Sequence, residues 1–151
     1  MVHRRAFGIA IAAVAVTAAR AVAQPDAELA EAIAAYDPAA SISSDPAPLT
    51  ADFNGDGRED VAAVLTGSGG KSALVVFNRT ASGYRPYALY ASLPGGPVRL
   101  QIVPPGRHRV LGATGALQTT TASLELVFPG RSSAMYVWGN ARYQVHGTEN
   151  Y

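Results

Sequence analysis

The chain has 151 residues, 48% of them hydrophobic and 15% charged, with a formal net charge of +1 and no cysteine. That length suits one globular domain with its own core. The near-neutral charge gives no electrostatic case for nucleic acid or an anionic membrane surface as partner, and the absence of cysteine excludes disulfides and a lipidated N-terminal cysteine.

The first elements belong to export. Met1 to Arg5 is short and basic (His3, Arg4, Arg5), Ala6 to Ala19 is apolar without a charged residue, and Ala21-Val22-Ala23 puts small residues where a signal peptidase reads them. The apolar run is shorter than the roughly 20 residues a helix needs to cross a bilayer. Residues 1–23 are therefore expected to be a secretory signal, and the mature protein to be periplasmic or secreted with no membrane span. Losing Arg4, Arg5 and Arg20 leaves nine basic residues against eleven acidic ones, a mature charge of about −2.

Residues 24–49 read as a helix and a linker. Asp26 can cap a helix over Gln24 to Asp37, with Glu28 and Glu31 in its early turns and Leu29, Ile33 and Tyr36 at helical spacing; Pro38 ends it. Ala39 to Leu49 is rich in Ser, Ala and Pro without a period, as a linker is.

Residues 50–151 read as a β domain. Short apolar runs separated by turn residues give eight candidate strands: Val61–Thr66, Ser72–Asn78, Tyr84–Ala91, Val98–Val103, His108–Leu111, Ala122–Phe128, Ala134–Trp138 and Arg142–His146. Gly67 to Lys71 joins the first two as a hairpin. Gly112 to Thr121 reads as a loop or edge. The expected fold class is mainly β (α+β): an antiparallel meander or small sandwich of about six to eight strands with one N-terminal helix.

The densest chemistry lies in Asp52-Phe53-Asn54-Gly55-Asp56-Gly57-Arg58-Glu59-Asp60. Oxygen-bearing side chains stand at Asp52, Asn54 and Asp56, a glycine that permits a sharp bend follows at Gly57, and Asp60 adds a carboxylate. Arg58 can offer its backbone carbonyl. Calcium takes six to eight oxygens, and such alternation can turn them all inward. The start matches an EF-hand loop, but the twelfth position is Ala63 where a bidentate glutamate is required, and a strand follows instead of a helix. The simpler reading is a hydrated turn, since Asn-Gly and Asp-Gly are common turn pairs. Mutual repulsion of Asp52, Asp56, Glu59 and Asp60 argues for a cation.

With its final carboxylate at the ninth position, before an apolar strand, the segment resembles the calcium loop of FG-GAP and VCBS repeats, whose pattern is D-x-[DN]-x-D-G-x-x-D. The resemblance covers about a dozen of the 151 residues. It implies one calcium ion held by the side chains of Asp52, Asn54, Asp56 and Asp60 and the carbonyl of Arg58. A propeller needs at least four blades of about four strands; this chain has room for two and no second copy of the motif, so neither a propeller nor the family's adhesive roles are implied.

Two further groups are candidates for a binding surface. Arg99, Arg107, His108 and Arg109 gather around the Pro104-Pro105-Gly106 turn as an anion patch or as solvated surface charges. Tyr136, Trp138 and Tyr143 form either a cross-strand aromatic ladder for a sugar or peptide or a packed cluster. His108 and His146 lack neighbours at zinc-ligand spacing, and no nucleophile motif accompanies them. The leading functional expectation is an exported, calcium-stabilised, non-catalytic module of the envelope with a protein or glycan ligand. An envelope hydrolase with unidentified catalytic residues and a secreted inhibitor presenting Pro104 to Arg109 are the alternatives.

Overall fold

The computed structural model describes residues 26–148, so the expected signal segment lies outside the described residues. One helix, α1 (Ala27–Tyr36), is followed by β1 (Ser41–Ile42), β2 (Leu49–Ala51), β3 (Asp60–Thr66), β4 (Ser72–Thr80), β5 (Gly83–Tyr90) and β6 (Arg99–Val103). The chain continues through β7 (Gly106–His108), β8 (Leu117–Thr119), β9 (Ser123–Phe128), β10 (Ser132–Gly139) and β11 (Arg142–Thr148). The fold is mainly β with a single α-helix among the described residues, as the pattern of the sequence requires, and every described strand pair is antiparallel.

A five-stranded sheet runs β1-β3-β4-β5, with β2 also on β3, next to β1 along the same edge: Ser41 opposes Thr66 and Leu49 opposes Ala62. A four-stranded sheet runs β11-β10-β9-β6, and β7 pairs with β8 as a separate ribbon. Of the meander and the sandwich, the packing is that of the sandwich. Ala62, Val64, Leu74 and Val76 of the first sheet meet Leu124, Leu126 and Tyr136 of the second, with Phe53 fully buried among them.

Side chains alternate faces along a strand, so the other face of β3 and β4 carries Val61, Ala63, Leu65, Val75 and Phe77. Leu29 and Ile33 of α1 cover it. This double covering explains why Val61 to Leu65 is a continuous apolar run instead of an alternating one: both of its faces are dry. Asp26 caps α1, its Oδ1 accepting the Leu29 N–H at 2.8 Å. Arg79 of β4 ties the cap down, its guanidinium donating to Asp26 Oδ2 at 3.1 Å.

Two expectations need correction, the linker and the fifth strand. The segment read as a linker, 39–49, holds β1 and the first residue of β2, whereas the segment read as a loop or edge holds β8, an edge strand paired with β7. These strands have two or three residues each, too few to show a period, and they exist because β3 and β7 offer them a ladder. The strand expected at His108–Leu111 sits earlier, at Gly106–His108, because Val110 instead turns into the interior, where it is buried.

Residues 104–121 cross the outer face of the second sheet. They leave the edge strand β6, and the Leu111 N–H reaches the Gly147 carbonyl on the opposite edge strand, β11, at 2.8 Å. The segment then returns through β8 to β9.

Candidate functional site

The acidic loop joins β2 to β3 and is built by its own side chains. Asp52 accepts three backbone N–H groups, from Gly55 at 2.7 Å and Asp56 at 3.1 Å on Oδ1 and from Gly57 at 2.9 Å on Oδ2. Asn54 Oδ1 accepts the Asp56 N–H and Asp56 Oδ1 accepts the Arg58 N–H, both at 2.9 Å. Gly55 and Gly57 have φ of +78° and +82°, the left-handed region that glycine enters without strain. A methyl group on Gly55 would also stand 2.6 Å from Thr121 Cγ2, because the chain entering β9 backs the loop there. Thr121 Oγ1 donates to the Phe53 carbonyl at 3.3 Å.

Asp60 is the fixed point of this arrangement. It is fully buried at the start of β3, its Oδ2 accepting the N–H groups of Phe53 at 2.9 Å and Asn54 at 3.2 Å, and its Oδ1 that of Arg79 at 2.8 Å. It thereby fastens the loop to β4. Burial pushes its carboxyl up to about 6, with the charge of Asp56 adding to the shift and the three N–H bonds opposing it. Asp60 forms no ion pair among the described residues, since the Arg79 guanidinium is engaged by Asp26 and Glu28.

A carboxylate oxygen has two lone pairs, so Asp52 Oδ2, Asp56 Oδ1 and Asp60 Oδ1, each accepting one N–H, keep capacity for a cation. Among the described residues no three His, Cys, Asp or Glu side chains by themselves form a metal cluster. The amide oxygen of Asn54 and the carbonyl of Arg58 are therefore integral to a calcium reading of the loop. Arg58 itself is exposed.

The aromatic candidates separate. Tyr136 is buried in the core, which pushes its phenol up to about 12, and it offers no surface to a ligand. Trp138 and Tyr143 are half-buried and pair across β10 and β11 with ring centroids 4.9 Å apart. Tyr87 of the first sheet closes on both, at 5.2 and 5.7 Å. The Tyr143 hydroxyl donates to the buried Asn78 Oδ1 at 2.6 Å. The three rings fasten the two sheets together at the loop end of the sandwich instead of forming an open ladder. A shallow hollow of about 370 Å³ separates Trp138 and Tyr87 from Asn54 and Asp56.

The arginine candidates converge. Beneath the crossing segment lies a cleft of about 900 Å³ whose lining includes Arg99, Arg107 and Arg109. Arg99 comes from β6, the other two from the crossing segment, and none forms an ion pair among the described residues. The floor is the outer face of the second sheet. There Gln101 opposes Glu125, and Glu125 opposes Met135. The Gln101 amide and the Thr148 hydroxyl both donate to the Glu125 carboxylate, and Thr148 Oγ1 lies 2.6 Å from Ser133 Oγ. His108 also lines the cleft, its Nε2 lying 3.1 Å from Thr119 Oγ1. The run Arg107-His108-Arg109 was visible in the sequence, but Glu125 and Thr148 gave no signal; only the sheet register puts them beside Arg99 and Gln101.

No helix among the described residues is long and apolar enough to cross a membrane. No family model matches the chain, and no curated protein or solved structure is significantly similar to it.

Proposed function

We propose that this chain is an exported β sandwich stapled by one calcium ion at Asp52, Asn54, Asp56, Arg58 and Asp60, acting as a non-catalytic binding module in the periplasm or outside the cell. The observation that carries the calcium reading is Asp60: a buried carboxylate with no protein cation beside it among the described residues, in one loop with the oxygens of Asp52, Asn54 and Asp56. A bound divalent ion offsets the desolvation of that charge. The likeness to the FG-GAP and VCBS calcium loop supports the same ligand set, and a disulfide-free exported fold gains most from such a staple. Export rests on the basic, apolar and A-x-A order of residues 1–23. The binding role is supported by the ligand-sized cleft, whose arginines form no ion pair among the described residues.

Calorimetric titration of calcium chloride into chelator-treated protein tests the staple. One site is expected in the wild type and none in Asp56→Ala. Equal heats from the two proteins contradict the assignment.

A further inference from the structure

We propose that the cleft between the crossing segment and the outer face of the four-stranded sheet binds an acidic oligosaccharide, one whose sugars carry carboxylate groups. Three features of the cleft select that chemistry together. Arg99, Arg107 and Arg109 line it without acidic partners among the described residues, and the planar fork of a guanidinium matches a carboxylate in two parallel hydrogen bonds. Glu125 stands on the floor within the same cleft, so the lining carries three positive side chains against one negative. A carboxylate accepts hydrogen bonds and does not donate them; beyond the bonds from Gln101 and Thr148 its remaining lone pairs can accept from the hydroxyls of a ligand. A ligand that satisfies both the arginines and Glu125 bears anions and hydroxyls on one frame.

Size and shape point the same way. A volume of about 900 Å³ holds several sugar rings and far exceeds a lone inorganic anion. Val103 and Val127, both half-buried, supply apolar lining against which the C–H faces of sugar rings can lie. The floor is the face of a sheet, which presents side chains. An extended peptide would use the backbone ladder of a sheet edge, which this floor does not offer. The arginines ride on different elements, Arg99 on the sheet and Arg107 and Arg109 on the crossing segment, so one ligand bridges the two. The inference rests on the binding-module part of the proposed function and not on calcium.

The test is calorimetric titration of the full chain with trigalacturonate, neutral galactotriose and tetraglutamate, each with calcium and with chelator. Trigalacturonate is expected to bind in both conditions, more weakly as salt rises, and the other two at least tenfold more weakly. Arg107→Ala/Arg109→Ala is expected to lose roughly tenfold per arginine, with thermal unfolding reporting that it remains folded. Arg99→Gln, on a paired strand, gives a second reading should the double variant unfold. Absence of trigalacturonate binding, equal binding of tetraglutamate or galactotriose, or an unchanged affinity in folded variants overturns the proposal. A protein that binds no calcium yet still binds trigalacturonate refutes the staple and leaves this site standing.

Discussion

At Asp60 a carboxylate has been taken out of water and given three backbone N–H groups instead of a counter-charge. Because burial raises its carboxyl to about 6 from an unfolded value of 3.8, the native state holds a proton that the unfolded chain has released. The stability this contributes is present below pH 4 and lost as pH rises through about 6. In chelator, the urea midpoint is expected to fall across that window, by on the order of 3 kcal/mol in free energy. Calcium should abolish the fall, and Asp60→Asn should lack it; parallel pH curves for wild type and Asp60→Asn would refute the assignment. The glycines provide a second residue-level contrast. Gly55→Ala meets both a left-handed backbone and Thr121, while Gly57→Ala meets only the backbone, with nothing within 4 Å of the added carbon. The first is expected to cost at least about 1 kcal/mol more than the second, read from urea denaturation. The sequence marked Asp60 as a candidate ninth-position ligand but not as the tie to β4, because that partner, the N–H of Arg79, lies 19 residues further on.

Among the elements, legibility followed length. β3, β4, β9, β10 and β11 have six or more residues and were readable from their apolar runs, whereas β1, β2 and β8 have two or three. Ile42 is the sole large apolar residue between Ala39 and Pro48, so nothing local marked β1. Helix α1 was legible from Leu29 and Ile33, but not the surface it covers. Those two side chains seal Val61, Ala63, Val75 and Phe77 from water. Leu29→Ala is therefore expected to cost about 3 kcal/mol by equilibrium urea unfolding, whereas a loss under 1 kcal/mol would mean that α1 is not a packed layer. The crossing segment was the least legible element. Gly112 to Thr121 has no period and Leu117 as its one large apolar residue, and the course of the segment depends on one backbone bond to Gly147 and on buried Val110.

The described residues form a helix, a five-stranded sheet and a four-stranded sheet in three layers, with the β7-β8 ribbon beside them, the acidic loop at one end of the sandwich and the arginine cleft on its outer face. Phe53 connects the loop to the architecture: its side chain is fully buried in the core between the sheets, while its N–H is held by Asp60 and its carbonyl by Thr121. An ion bound in the loop would thus stabilise both sheets and not the loop alone. The composition is compatible with such a role, since a cysteine-free chain has no covalent staple. What the composition could not indicate is that the loop grips the core through Phe53. Thermal unfolding in calcium against chelator tests this account most directly. At a calcium level about a hundredfold above the dissociation constant, mass action contributes about 2.7 kcal/mol, and the midpoint should rise by on the order of 10 °C in the wild type and not in Asp56→Ala. A midpoint that is the same in calcium and in chelator contradicts the account.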